Sequence, residues 1–132
     1  MLLCDYAEEV GGKLYIMGGG WSQLRTPNQP SNMALAIRLS VPWSQANEQH
    51  DLAIRLLTSD GHPVPNEEDQ DIALEGKMEV GRPPGLRPGT DLDMALAARF
   101  DGLKLEPGTY RWSLEVDGTP LKHTAFDVIQ PG

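Results

Sequence analysis

Apolar and polar side chains take turns along most of the regular stretches of this chain. In MALAIRLSV (33–41), Met33, Leu35, Ile37, Leu39 and Val41 share one parity, while Ala34, Ala36, Arg38 and Ser40 share the other. DLAIRL (51–56) sets Leu52, Ile54 and Leu56 against Ala53 and Arg55. DIALEGKMEV (71–80) puts Ile72, Leu74, Met78 and Val80 on one face, with Gly76 as the exception. LDMALAARF (92–100) and YRWSLEV (110–116) repeat the pattern, the latter with Tyr110, Trp112, Leu114 and Val116 in phase. Successive strand side chains point to opposite faces, so each run predicts a strand with one dry and one wet side. Antiparallel sheets packed on one face read this way, whereas parallel strands buried on both faces do not.

The breaks between runs agree. SDGHP (59–63) and VDGTP (116–120) each carry Asp-Gly between apolar runs, a strong hairpin signal. GRPPGLRPGT (81–90) and TPNQPSN (26–32) are too rich in proline for regular structure. The one helix-like piece is WSQANEQ (43–49), where Ser44 is placed to cap a single turn. About seven to nine short strands in one domain spanning 1–132 predict an all-β fold, a β-sandwich of two antiparallel sheets, with a closed barrel as the alternative that alternation alone does not separate from it. EPGTYRW (106–112) favours an immunoglobulin-like form. Glu106 lies four residues before Tyr110, Gly108 two before it and Trp112 two after it, which resembles a tyrosine corner. In that reading Gly108, Tyr110 and Trp112 are structural, and Trp112 stands where antibody domains keep a cysteine.

Charge narrows the partners. The net charge is −8, with eleven basic residues scattered along 132 positions. Nucleic acids and anionic membranes are bound through clustered Lys and Arg, so neither is an expected partner. The single cysteine, Cys4, allows no internal disulfide. MLLCDY lacks the basic segment and apolar core of a signal peptide, and no apolar run approaches a membrane span, so a cytoplasmic location is expected.

MGGGW (17–21) raises the question of a phosphate loop. Gly18 and Gly20 match the first two glycines of G-x-G-x-x-G, but the third position is Gln23, and prolines follow before a helix can form. The remaining role is structural: Gly18, Gly19 and Gly20 relieve strain at a bulge or bend and let the chain pass from one sheet toward the other. His50, His62 and His123 are far apart, and neither NEEDQD (66–71) nor TDLD (90–93) has the spacing of a calcium loop. No catalytic, cofactor or metal residue is assigned, and no enzyme is expected. Trp21 and Trp43 sit at element edges beside Gly20 and Pro42, and are the candidate interaction residues.

The stretches MLLCDYAEEVGGKLYIMGGGW, EVGRPPGLRPGT and LEPGTYRWSLEVDG together resemble a family of small bacterial proteins known only as a domain of unknown function. The resemblance runs over nearly the whole chain. It implies a stand-alone intracellular domain and supplies no activity or substrate. The expected role is therefore contact with a protein partner, or self-association through a sheet edge. The alternative is a small-ligand module, of carbohydrate type, using the loop tryptophans.

Overall fold

A computed structural model describes residues 1–131 as nine strands in two sheets. The strands are β1 (Leu2–Val10), β2 (Lys13–Gly19), β3 (Gln23–Leu24), β4 (Ser31–Val41), β5 (His50–Thr58), β6 (Ala73–Met78), β7 (Leu92–Leu103), β8 (Gly108–Val116) and β9 (Thr119–Val128). One sheet has the order β2-β1-β4-β7 and the other β3-β9-β8-β5-β6. Every pairing is antiparallel except the two-residue contact of β3 with β9, which is parallel.

The alternating runs form the inner faces. Leu3, Met33, Leu35, Ile37, Ala98 and Phe100 of the first sheet meet Ile54, Leu56, Tyr110, Trp112, Leu114 and Phe126 of the second. Trp112 is fully buried and lies tilted against Phe100, ring centroids 4.2 Å apart, so the largest core side chain joins the two sheets. Face-to-face packing of this kind is the sandwich that the period-two pattern requires. At the entrance to β8 the Tyr110 hydroxyl donates to the Glu106 carbonyl at 2.7 Å.

Three details depart from the alternation. Ala34 and Ala36, on the parity expected to face water, are buried, because the β1–β2 hairpin leans over the outer face of β4 and β7. Ala97 completes this floor, and only small side chains allow a second layer to come so close. Leu74, expected inside, is 45% exposed, because β6 is the outermost strand of the wider sheet. Ser44 caps nothing: residues Trp43–Gln45 form one 3-10 turn with Pro42 at its N-cap and no side-chain cap bond.

Of the two Asp-Gly signals, Asp117-Gly118 joins β8 to β9 as a tight hairpin. The turn at 59–62 also forms, with Gly61 N–H donating to the Thr58 carbonyl at 2.9 Å. The chain returning from it makes only single bridges, Leu57 with Pro63 and Pro65 with Asp71. Pro63 and Pro65 lack the N–H groups that a ladder needs, so no strand extends there.

Candidate interaction edge

A sandwich of two open sheets leaves outer strands with unpaired backbone groups, and soluble proteins blunt such edges with proline, charge or brevity. Most of this chain's edges are blunted. β9 carries Pro120 and Lys122 along the stretch that β3 does not cover, and β3 itself has two residues. β6 carries Glu75 and Lys77, while β7 carries Asp93, Arg99 and Asp101. β2 is different. Its sequence KLYIM has one charge, at its first residue, and no proline.

The hairpin that presents this edge is built by its turn and its register. Gly11-Gly12 closes the two-residue turn, and the Gly12 N–H donates to a Glu9 carboxylate oxygen at 2.7 Å. Directly opposed residues share a side of the ladder. Tyr6, Glu8 and Val10 are thus grouped with Met17, Tyr15 and Lys13, while Ala7 and Glu9 are grouped with Ile16 and Leu14. Ala7 and Leu14 pack onto Ala34, Ala36 and Ala97. The rest stays in water: Met17 is 68% exposed, Tyr15 55%, Val10 52%, Ile16 41% and Tyr6 36%. Apolar side chains are therefore exposed on both sides of a strand whose outer edge is open, a setting suited to contact with a partner.

The glycines end the strand and redirect it. Gly18 (φ +62°) and Gly20 (φ +87°) both occupy the left-handed region. At Gly18 a side chain would also strike the Asp5 carboxylate. Gly20 N–H donates to the Leu3 carbonyl at 2.9 Å, and the chain then enters β3 in the opposite sheet. Trp21 follows and packs edge-on against Phe126, centroids 6.1 Å apart, under the same core. Trp43 lies elsewhere. It packs beside Val41, Ala46, Met78 and Leu92, and the Arg82 guanidinium covers its ring at 4.4 Å. Phe126 opposes Tyr110 near the start of β8, whereas Met78 opposes His50 near its end, so the two tryptophans occupy opposite ends of the sandwich.

The family model for DUF6941, a family of unknown function, matches residues 1–129. The chain belongs to this family. The matched segment takes in all nine strands, including the whole β1–β2 hairpin, so the open edge is part of the DUF6941 unit. None of the curated proteins and none of the solved structures compared with it matches the chain.

The other chemically distinctive place in this DUF6941 domain is the start of β5. His50 Nδ1 lies 2.7 Å from an Asp117 carboxylate oxygen, while the other oxygen accepts the Asp51 N–H at 2.9 Å. The hydrogen bond to Asp117 raises the His50 pKa, partly opposed by burial, and the same bond lowers that of Asp117. His50 Nε2 is buried without a partner. The pair therefore ties β5 to the β8–β9 turn. Spacing gave no hint of it, since the two residues lie 67 positions apart. Cys4 is buried with its thiol pKa raised, chiefly by desolvation, which keeps it in the unreactive thiol form. Among the described residues, no group of three or more His, Cys, Asp or Glu is placed to hold a metal ion, and no helix is long and apolar enough to cross a membrane.

Proposed function

We propose that this DUF6941 domain works by contact, without catalysis, and that its working surface is the β2 edge of the β1–β2 hairpin. The observation that carries this reading is the contrast among its edges. Three are blunted by proline, paired charge or brevity, while β2, paired only with β1, exposes Tyr15, Ile16 and Met17 beside its open outer edge. Water-exposed apolar side chains next to free backbone donors and acceptors are a template for strand addition. The small-ligand reading has less support, because Trp21 and Trp43 stand apart and each is already engaged by a neighbour. The immunoglobulin-like assignment is proposed on the Tyr110–Glu106 bond at the entrance to β8, and an intracellular setting on the lone buried Cys4.

The test pairs association with stability. Light scattering and capture from host lysate are run on the native chain and on the Ile16→Lys/Met17→Lys variant. Both side chains are exposed, so the melting temperature should hold within about 2 °C, as for ordinary surface substitutions. Association, with itself or with a captured protein, should disappear. A native chain that stays strictly monomeric and captures nothing, or a variant that associates as well as the native chain, would sink the proposal.

A further inference from the structure

Resting on that reading of β2, we infer that its occupant is an extended segment of another protein whose side chains alternate between basic and apolar, rather than a second copy of this chain. Two observations separate these occupants. The first is the length of the edge. Only residues 13–17 lie before the left-handed kink at Gly18, so two rigid copies pairing β2 with β2 share a five-residue seam. A stable interface buries roughly 800 Å² on each partner, well beyond such a seam, whereas a flexible strand can pair with β2 and fold its side chains over the hairpin.

The second is charge. The hairpin carries Asp5, Glu8 and Glu9 against one cation, Lys13. Among the described residues none of the three carboxylates forms an ion pair, and the whole chain stands at −8. A second copy brings the same excess of negative charge. A basic segment neutralises it.

Register says where each side chain goes. Glu8 is directly opposite Tyr15 and on the same side of the ladder. A strand added outside β2 lies about 4.8 Å from Tyr15 and roughly 10 Å from Glu8. An arginine or lysine at that position reaches across the phenol ring to the carboxylate, combining a cation–π contact with an ion pair. The molecule already shows half of this arrangement, with the Arg99 guanidinium 5.1 Å from the centre of the neighbouring Tyr6 ring. On the other side of the added strand, side chains meet Ile16 and the rim of Leu14, which calls for valine or isoleucine. Alternation in the partner thus mirrors the two sides of β2.

The experiment follows amide hydrogen exchange of β2 with three synthetic peptides of about eight residues, the length of a typical strand. One alternates valine with arginine. Another replaces arginine with glutamate, and the last keeps the arginines but has proline at two central valines. The valine–arginine peptide should slow exchange of the outward amides among residues 13–17 about tenfold or more, with less protection at high salt and several-fold weaker binding to Glu8→Gln. Equal protection by the glutamate peptide, or equal binding of the proline peptide, overturns the inference, since charge or strand pairing alone would then suffice. If no peptide protects β2 but the chain dimerises and Met17→Lys abolishes the dimer, the edge is real and its occupant is a second copy, so only this inference falls. If no peptide binds and no association of any kind is seen, the edge reading falls with it.

Discussion

Single alanine substitutions at the three consecutive glycines should have unequal effects, and their order can be worked out from the backbone. Gly20 has φ +87° and open space where a side chain would go, so Gly20→Ala meets only the left-handed strain. That strain is about 1–2 kcal/mol for an L-residue, offset by about 0.4–1 kcal/mol from stiffening the unfolded chain, leaving a net loss near 1 kcal/mol. Gly18 has φ +62° and a second obstacle: its Cβ would strike the Asp5 carboxylate, with Cγ at 2.7 Å and Cβ at 3.2 Å. The whole Asp5 side chain must leave its rotamer, adding about 0.5–1.5 kcal/mol. Gly19 is free of the φ problem, and its Cβ would press only on the methyl ends of Leu2 and Ile16, at 3.0 and 3.1 Å. Both residues are partly exposed and can yield, so Gly19→Ala should be close to neutral. Urea unfolding followed by tryptophan fluorescence should rank the losses Gly18→Ala, then Gly20→Ala, then Gly19→Ala. At about 4 °C per kcal/mol, the first corresponds to a melting shift of roughly 6–10 °C. The Asp5→Ala/Gly18→Ala double variant should recover the steric part, so that its cycle shows coupling of about 0.5–1.5 kcal/mol. A Gly19→Ala loss as large as that of Gly18→Ala, or a cycle with no coupling, would refute the geometry assigned to this bend.

Two further outcomes test the sandwich itself. Phe100→Ala removes the ring that Trp112 leans on across the two sheets and should cost about 3–5 kcal/mol in urea unfolding, whereas a loss below about 1 kcal/mol would mean the sheets do not pack through this pair. Asp117→Asn should have a pH-dependent effect on stability. The raised His50 pKa stabilises the fold below the ordinary imidazole value of 6.5, and this is lost as pH rises through the raised value. The lowered Asp117 pKa stabilises above the ordinary carboxylate value of 3.8, and this is lost as pH falls through the lowered value. The melting difference between native and variant chains should thus be widest between those two ordinary values and should narrow as pH rises through the raised His50 value. A difference that does not change with pH would remove the ionic part of the pair.

The readable parts of this fold are the strands that sit between a core and water. Ala98 and Phe100 alternate with Arg99 and Asp101, and Ile54 and Leu56 with Arg55, because one side of the strand faces the core and the other faces water. The hairpin escapes that logic at both ends. Its own residues do not alternate, since LCDYAEEV is mixed and LYIM is apolar throughout. Its landing site does alternate, but the side that looks wet is an alanine floor for a second layer. The available signal was the Gly11-Gly12 dipeptide between two short runs, a hairpin mark that needs no periodicity. The His50–Asp117 bond and the parallel contact of β3 with β9 join residues remote in sequence, and no local pattern records such contacts.

The brevity of β2 also bears on how tightly anything can hold it. A strand laid along residues 13–17 gains about four backbone hydrogen bonds, each worth roughly 0.5–1.5 kcal/mol net of water. Association itself costs several kcal/mol, so the ladder alone gives no useful affinity. Whatever specificity the edge has must come from side chains next to it: Tyr15 and Met17 on one side, Ile16 on the other, and the carboxylates of β1 behind them. The same limit disfavours endless edge-to-edge growth, because a strand stopped by a glycine kink cannot supply the long flat seam that aggregation needs. The affinity of so short an edge should respond sharply to one charge placed at position 17. Met17→Lys puts an ammonium on the most exposed apolar side chain of the strand, beside the path of any incoming cation.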